Sequence, residues 1–286
     1  MKDTIVVGVA LHSEAGRRSG QRAIAWAAER AMDRHQRLEL LSIVGGAVGM
    51  VGEAHLIDQA RDDLRSQLEA EARTLTDAHP DRLDVRVRVD HGNPVAKLID
   101  ASKDAALLVI GSDFRGDAGP ARGPHGIRIA AGSHAPVVVI PDADPGARSG
   151  VVVGVDGSDL SERAIAFAAA EADRLGEALI TVIAWSPMEV SRNPGLYPPE
   201  YLDALARLSE ESLGLSLAGL SSTYPDLRIE RHVERGYPSE AIEVYARRAR
   251  LTVLGSHGRG AIARFLLGSV SEEVLRRLPS AVAIVR

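Results

Sequence analysis

The chain contains one sequence pattern twice, and this repeat constrains the fold more than any other feature. The matching pairs are IVVGVA (5–10) with VVVGVD (151–156), RAIAWAA (22–28) with RAIAFAA (163–169), HGNP (91–94) with RGYP (235–238), LVIGS (108–112) with TVLGS (252–256), and PVVVI (136–140) with AVAIV (281–285). A period of 141 to 146 residues in a chain of 286 residues is too long for a solenoid repeat. It indicates a duplicated domain of ordinary size.

Each half alternates short apolar strands with helical segments, and this alternation predicts the fold class. VVVGVD, ALITVIAW and LTVLG read as buried strands, and amphipathic helical segments separate them. Strand–helix alternation is typical of a mostly parallel sheet with helices on both faces. We therefore predict two tandem open-twisted, Rossmann-like α/β domains, each with a five-stranded sheet. They span residues 1–141 and 150–286, joined by the Pro/Gly/Asp-rich linker Pro141–Gly150.

Three helices can be placed in more detail from their end signals and apolar periodicity. Asp159 followed by Glu162 resembles a capping box with Asp159 as the cap, and Gly176 is a typical helix stop. A helical pattern also covers about 200–220, and the segment Ile57–Leu75 has one apolar stripe with charged faces. We interpret that stripe as ordinary packing against a sheet.

Composition and charge exclude several classes of protein. The net charge of −5 and the aromatic content of 3% argue against nucleic-acid binding or attachment to an anionic membrane. The absence of cysteine excludes disulfides, thiolate metal sites and cysteine nucleophiles. No apolar run reaches the roughly 18 residues that a membrane span needs, and the first residues do not match a signal peptide. We therefore expect a cytoplasmic protein.

The glycine-rich segment GSHGRGAIARFLLGS, residues 255–269, is the strongest candidate for a functional site. It follows the apolar run LTVL and precedes a helical segment, so it leaves a strand at its carboxyl end, where open parallel sheets bind ligands. Glycines allow close approach of the backbone to an anion, and a helix N-terminus favours phosphate. Ser269 could add a hydroxyl donor and Arg259 a charged one. The alternative is that these glycines only form turns.

Two common nucleotide-binding motifs do not fit. The chain has only three lysines, Lys2, Lys97 and Lys103, and none lies in this loop, which argues against a P-loop nucleotide triphosphatase. A dinucleotide fold would need G-x-G-x-x-G after its first strand, and VGVDGSD lacks that pattern. The loop therefore needs another comparison.

Gly-x-x-Gly-x9-Gly-Ser at residues 255–269, with GVDGS after the first strand, resembles the ATP-binding branch of the universal stress protein family in its tandem form. The resemblance covers nearly the whole chain and implies the adenine nucleotide α-hydrolase-like variant of the fold. It implies that Asp156 contacts the nucleoside, Gly154 permits close approach and Val182 borders the adenine. The residues from Gly255 to Arg259 would wrap the ribose and phosphates, and Gly268, Ser269 and Val270 would hold the phosphate chain. The full implied ATP set is Gly154, Asp156, Val182, Gly255, Ser256, His257, Gly258, Arg259, Gly268, Ser269 and Val270.

Ligand contact by Asp156 is also supported by an argument that does not depend on the family resemblance. A carboxylate at the carboxyl end of a parallel strand can accept hydrogen bonds from ribose hydroxyls. Capping of the following helix is the alternative, although Ser158 and Asp159 already offer a cap.

The first half departs from this pattern at four positions. Ala10 stands in place of Asp156, Phe114 in place of Gly258, and Pro124 in place of Ser269; the second glycine pair also closes one residue early, at Gly123. Proline removes a backbone donor where a phosphate needs one. We therefore expect ATP, possibly with Mg²⁺, to bind the second half, and the first half to bind it weakly or not at all. Arg115, Arg122 and His125 remain in the first-half loop and could hold an anion in another way.

No catalytic or metal-binding residues are identified. The nine histidines are scattered without metal-site spacing, and no G-x-S-x-G motif is present. Two functions remain open: a nucleotide-binding regulatory module of the stress response, or a slow ATPase or phosphotransferase. A third reading, an α-hydrolase-like pyrophosphatase, lacks a convincing loop in VGVDGSDLS.

The resemblance also implies assembly, because universal stress domains commonly pair through their fifth strands. Those strands would be PVVVI (136–140) and AVAIV (281–285), giving a homodimer or an intramolecular pseudo-dimer.

Overall fold

The structure, a computed structural model, describes residues 3–11, 14–45, 53–112, 124–142, 146–187, 197–258 and 266–286. The chain divides into two compact units, Met1–Asp144 and Pro145–Arg286, so the division falls inside the predicted linker. Every helix in the described ranges is too short or too polar to cross a lipid bilayer.

The first unit is a parallel sheet with strand order β3-β2-β1-β4-β5. Its elements are β1 (Thr4–Gly8), α1 (Glu14–Arg34), β2 (Arg37–Val44), α2 (Glu53–Ala78), β3 (Val85–His91), α3 (Pro94–Ala101), β4 (Leu107–Gly111), α4 (Pro124–Gly132) and β5 (Val137–Ile140). The strands β1, β4 and β5 are almost entirely buried, as apolar strands covered on both faces should be.

The second unit repeats the architecture, with strand order β8-β7-β6-β9-β10, all neighbours parallel. Its elements are β6 (Val151–Val155), α5 (Asp159–Leu175), β7 (Leu179–Trp185), α6 (Pro199–Ser216), α7 (Leu220–Thr223), β8 (Ile229–Arg235), α8 (Pro238–Ala246), β9 (Leu251–Gly255), α9 (Ser269–Arg277) and β10 (Ala281–Val285). The predicted class, tandem mostly parallel five-stranded sheets with helices, is confirmed.

Right-handed crossovers fix which face each helix covers. In the second unit the chain runs from β6 to β7 to β8 in one direction, so α5 and α6 lie on the same face. It then returns to β9 and continues to β10, which puts α8 and α9 on the opposite face. The helix contacts agree: α6 packs on β7 and β8, whereas α8 packs on β6, β7 and α9.

The predicted helix ends were right in part. The stop at Gly176 is confirmed, because this residue has φ 65° in the left-handed region and caps α5. The predicted cap at Asp159 was wrong: Ser158 is the N-cap, its hydroxyl accepts from Ser161 N–H at 3.2 Å, and Asp159 is the first helical residue. An extended Ser158 can present its oxygen to the first turn, whereas Asp159 already has helical geometry.

Two helix lengths also differ from the prediction. The segment predicted over 57–75 is the longer α2, which continues to Ala78. The single helix predicted over about 200–220 is two helices, α6 and α7, because Gly219 between them has φ 81°. A left-handed residue cannot continue an α-helix.

Candidate nucleotide site in the second unit

A cleft of roughly 800 Å³ opens at the carboxyl ends of β6, β7 and β9. Three of the segments that line it are the turn after β6, the loop after β9 and the first turn of α9. The chain leaves β6 toward β7 on one side and returns to β9 on the other. The cleft therefore lies at the topological switch point, where parallel sheets place their ligands.

The turn after β6 holds Asp156 in a defined orientation. Its Oδ1 accepts from the Ser158 backbone N–H at 3.0 Å and from the Ser158 hydroxyl at 2.7 Å. The Asp156 N–H donates to Ser161 Oγ at 3.2 Å. One oxygen is thus committed to the turn, while Oδ2 accepts no hydrogen bond within the part of the chain that the structure describes.

The second oxygen of Asp156 meets the glycine loop at Gly258. A Cβ atom built on Gly258 would lie 2.5 Å from Asp156 Oδ2, closer than real Cβ contacts allow. Gly258 is not among the glycines with positive φ. It is needed here for space beside the carboxylate rather than for an unusual backbone conformation. The carboxylate and the glycine loop therefore act as one unit.

The loop after β9 is folded tightly by backbone hydrogen bonds. Ser256 N–H donates to Val285 O at 2.7 Å, and Gly268 N–H donates to Ser256 O at 2.8 Å. The Ser271 hydroxyl donates to Gly255 O at 2.7 Å, which ties the first turn of α9 to the end of β9. A Cβ on Gly268 would lie 3.3 Å from His257 Cα, so close approach of the two ends of the loop requires a small residue there.

Helix α9 begins in the cleft without a side-chain cap. Its N-cap is Gly268, with extended φ −62° and ψ 148°, and within the described ranges no side chain caps the first turn. The backbone N–H groups of Ser269, Val270 and Ser271 consequently have no acceptor inside the helix. Together with the positive end of the helix dipole, these groups can bind an anion.

The opposite wall of the cleft is apolar. Val182 on β7 is 1% exposed and lies in register beside Gly154 on β6. A Cβ on Gly154 would lie 2.6 Å from Leu254 Cδ2 and 2.7 Å from Ile242 Cδ1. Core side chains therefore already fill the space that a side chain at position 154 would need. Packing is a reason for this glycine that the sequence alone did not reveal.

His257 lies in the cleft wall, where its Nδ1 is 3.1 Å from Ser256 Oγ. Its Nε2 is buried and has no hydrogen-bond partner among the described residues. Burial lowers the pKa of this imidazole, and the nearby Arg286 guanidinium lowers it further. A neutral ring is therefore favoured at this position.

Nine of the predicted site residues line the same cleft: Gly154, Asp156, Val182, Gly255, His257, Gly258, Gly268, Ser269 and Val270. Ser256 does not; it is 2% exposed and lies beneath the loop, where its N–H is used by Val285. The N–H of Gly268 is likewise used within the loop, by Ser256 O. Arg259 lies outside the described residues.

The cleft also contains residues that sequence reasoning missed. Ser161 and Ser271 belong to helix first turns, and Ile242, Leu205, Leu208 and Trp185 come from α8, α6 and the end of β7. Trp185 could have been predicted as a cleft residue, because it ends the apolar run ALITVIAW and follows Val182 on the same strand. The α6 residues carry no motif, and only the packing of α6 on β7 brings them to the cleft.

The corresponding edge of the first unit is built differently. A Cβ on Gly111, which matches Gly255, would lie 2.7 Å from Ser19 Oγ. The Arg18 guanidinium approaches Asp142 Oδ2 at 3.4 Å beside it. Pro124 is the first residue of α4, as Ser269 is of α9. Phe114, Arg115, Arg122 and Gly123 lie outside the described residues.

The model of the universal stress protein family matches this chain twice, over residues 1–141 and 149–286. A universal stress protein of Mycobacterium bovis is 39% identical over 214 residues, which cover 71% of this chain and 70% of that protein. One of Mycolicibacterium smegmatis is 30% identical over 292 residues, covering 99% and 96%. The crystal structure of a universal stress protein from Archaeoglobus fulgidus matches with a TM-score of 0.70 at 20% identity, covering 100% of this chain and 98% of that one. This last likeness concerns the fold alone.

Proposed function

The chain belongs to the universal stress protein family, and from this premise we propose that its second unit binds ATP as a regulatory module. Nucleotide occupancy would change the shape or the assembly of the protein. The observation that carries the proposal is the meeting of the Asp156 turn with the uncapped N-terminus of α9 in one cleft. Its volume of roughly 800 Å³ lies within the usual range of small-molecule sites.

The α9 end of the cleft supplies the features that phosphate groups require. Three backbone donors from Ser269 to Ser271 point out of the helix N-terminus, and the Ser269 side chain adds a hydroxyl. The dipole of α9 favours negative charge at this end. Mg²⁺ would accompany the nucleotide as its counter-ion, bound mainly through phosphate oxygens, as is usual for this cation.

The β6–β7 end suits a nucleoside. Asp156 Oδ2 is an acceptor oriented by the bonds that Ser158 makes to the other oxygen. It can accept from a ribose hydroxyl or from the adenine edge. Val182 is an apolar residue at the border of this part of the cleft, where the base would lie. ATP would therefore run from Val182, past Asp156 and Gly258, to Ser269 and Val270.

The chemistry of the site favours binding over hydrolysis. None of the three lysines of the chain lies in the glycine loop, and the sequence places no clear general base beside Ser256 or Ser269. A slow ATPase or phosphotransferase is the alternative function, because a bound Mg²⁺ and a water could suffice. Single-turnover incubation with labelled ATP separates the two: intact nucleotide supports a binding module, and rapid release of ADP or AMP supports an enzyme.

Isothermal titration calorimetry of the full chain with Mg-ATP tests the binding proposal. We expect one site per chain, since the first unit lacks Asp156, Gly258 and Ser269 equivalents. Two equivalent sites would contradict the assignment to the second unit, and no binding would overturn the proposal.

Ser269→Pro is the sharpest variant, because it copies Pro124 of the first unit at the same helix position. Proline is well tolerated at the first residue of a helix, so α9 should still form. The substitution removes one N–H and one hydroxyl from the phosphate end, and we expect ATP affinity to fall roughly 10- to 100-fold. Ser269→Ala, which keeps the N–H, is the matched control and should lose less. Equal affinities for Ser269→Pro and the unmodified chain would contradict the phosphate assignment.

A second pair of variants separates ligand contact from helix capping at Asp156. Asp156→Ala removes both the oriented acceptor and its bonds to Ser158, whereas Ser158→Ala removes the α5 cap and leaves the carboxylate. We expect Asp156→Ala to weaken ATP binding about tenfold and Ser158→Ala to do so much less. Equal losses would show that Asp156 acts only through the turn.

Two further parts of the proposal follow from the family and the composition. The absence of cysteine fits a cytoplasmic location, where ATP is abundant. Pairing through fifth strands, between chains or within one, stays a prediction that analytical ultracentrifugation with and without ATP can test.

A further inference from the structure

The side chains that line the cleft come from both faces of the second sheet. Gly154 faces α8, because its missing side chain is filled by Ile242 of that helix. Val182 pairs with Gly154 in register and therefore faces the same side. Side chains alternate along a strand, so Ile183 and Trp185 face the other side, where α5 and α6 pack. The nucleotide proposed above would occupy the part of the cleft beside α8 and α9.

We name the part of the cleft on the other face the α6-side lobe; the cleft residues there are Ile183, Trp185, Leu205, Leu208, Ser209 and Ser212. Its walls are mostly apolar, and the Ser209 hydroxyl is already engaged with Leu205 O at 3.0 Å. Leu208 is 61% exposed at the mouth of the lobe. A large apolar side chain kept in water beside a concave apolar wall is typical of a binding surface.

A cationic edge runs beside this lobe. Arg235 on β8 pairs in register with Trp185, and its guanidinium carbon lies 5.8 Å from the centroid of the Trp185 ring. Arg231, four positions earlier on β8, projects from the same face and is also exposed. The acidic residues of α6, which are Glu200, Asp203, Glu210 and Glu211, are exposed but do not line the lobe. The lobe therefore combines an apolar floor with positive charge at its rim.

We propose that the α6-side lobe binds a small anionic amphiphile, with its hydrocarbon part against Trp185 and Leu208 and its anionic group near Arg235. The apolar lining and the exposed Leu208 argue for the hydrocarbon part, and the guanidinium over the tryptophan ring argues for the charge of the head group. The two ligands would occupy different parts of one cleft, and the amphiphile would not require bound ATP.

The first unit lacks the two residues that define the lobe. In the register of that sheet, Val44 stands at the end of β2 where Trp185 ends β7, and His91 pairs with it where Arg235 pairs with Trp185. The lobe is consequently a property of the second unit and not of the repeated scaffold.

Fluorescence titration of the full chain tests the proposal, with decanoate as probe and 1-decanol as its uncharged match. Trp26 and Trp185 are the two tryptophans, so a Trp26→Phe background leaves Trp185 as the reporter. We expect decanoate to change Trp185 emission saturably and to bind several-fold more tightly than 1-decanol. Absence of saturable binding, or equal binding of the two probes, would overturn the proposal.

Two exposed positions provide the variants. Arg235→Gln should weaken decanoate about fivefold and change 1-decanol less than twofold. Leu208→Ser, a surface substitution that leaves the fold intact, should weaken both probes. Decanoate affinity unchanged in both variants would place the probe elsewhere and overturn the assignment.

ATP titration of the same variants keeps this test independent of the proposed function. We expect ATP affinity to stay within twofold in Arg235→Gln, because Arg235 does not line the cleft, and decanoate to bind in the presence of saturating ATP. Displacement of decanoate by ATP would overturn the assignment of a separate site. A chain that binds decanoate but no ATP would refute the proposed function and leave this inference standing.

Discussion

The two units share one fold but differ at the carboxyl edges of their sheets. Gly8 and Gly154 occupy equivalent positions, and in both units neighbouring apolar side chains fill the missing Cβ space: Leu98 and Ile110 around Gly8, Ile242 and Leu254 around Gly154. This glycine is retained for packing, whether or not the unit has a site. A glycine shared by the two halves therefore says nothing about ligand binding.

The positions that differ are those that touch one another. Asp156 and Gly258 are in contact in the second unit, and both are replaced in the first, by Ala10 and Phe114. Glycine is required at position 258 only while the carboxylate stands beside it. Loss of the carboxylate removes the steric constraint on the loop, so the two changes belong together.

The start of the first helix also differs. Arg22 matches Arg163, so the first residue of α5, Asp159, corresponds to Arg18, yet α1 already begins at Glu14. The first unit thus has about one more helical turn at the edge where the second unit has the Asp156 turn. Ser19 of this helix packs over Gly111.

Replacing Gly258 by phenylalanine, the residue at the matching position 114 of the first unit, should have the largest effect on ATP binding. In Gly258→Phe, even the Cβ atom would overlap the space of Asp156 Oδ2, and the ring would add bulk to the cleft. We expect ATP affinity to fall about 100-fold, measured by isothermal titration calorimetry. The reciprocal Phe114→Gly should add no second ATP site, because Ala10 and Pro124 remain. Unchanged affinity in Gly258→Phe would show that the glycine loop does not contact ATP.

Alanine at the shared glycine should cost both units stability by a similar amount. A Cβ at Gly154 or Gly8 would lie between 2.6 and 3.0 Å from its nearest neighbours, and overpacking of this kind costs about 1–3 kcal/mol. Hydrogen exchange measured by mass spectrometry reports the two units separately. Gly154→Ala should raise exchange in β6–β10 and Gly8→Ala in β1–β5.

Gly45→Ala is the control for that pair, because nothing lies within 4 Å of a Cβ at this position. It should leave exchange nearly unchanged. If Gly154→Ala left the second unit as stable as before and weakened only ATP binding, a ligand role for Gly154 would replace the packing role.

A double-mutant cycle measures the contact between Asp156 and Gly258. Gly258→Ala alone should weaken ATP binding about tenfold, because its Cβ displaces the carboxylate. In the Asp156→Ala background the same substitution should have little further effect, since the clash has gone. Additive losses would contradict the idea that the two positions act together.

Much of this arrangement could be predicted from the sequence, because it depends on where strands end. The repeat indicated two parallel sheets, and Asp156, Gly255 and Ser269 follow or precede elements whose carboxyl edges must meet. Topology alone therefore assembled residues that are about 100 positions apart. The family resemblance, which the family model and the relatives confirm, named the same loop.

The features of the site that could not be predicted depend on side-chain direction and tertiary packing, which no local sequence pattern encodes. Ser256 lies in the motif yet faces away from the cleft, and the choice of Ser158 over Asp159 as the cap depends on backbone geometry at one residue. Leu205 and Leu208 reach the cleft only because α6 packs on β7 and β8. Such residues can be found only once the fold is known.

The smallest expected difference between the units concerns pH. His257 stands where the first half has Asp113, and burial and Arg286 lower the pKa of its imidazole below the ordinary 6.5. The folded second unit therefore disfavours the charged ring. The contribution of His257 to stability is complete above about pH 6.5 and is lost as the pH falls through the lowered pKa.

Nuclear magnetic resonance titration of the imidazole Cε1–H signals measures this pKa directly. The chain has nine histidines, and the signal that disappears in His257→Asn identifies the residue. We expect it to titrate below 6.5, and we expect the variant to lose less stability than the unmodified chain between pH 7 and pH 5. Bound phosphate would favour the charged ring and move the titration upward, so adding ATP should raise the pKa of His257. A signal that titrates identically with and without ATP would place the phosphates away from His257, and only the dipole and donors of α9 would then remain to hold them.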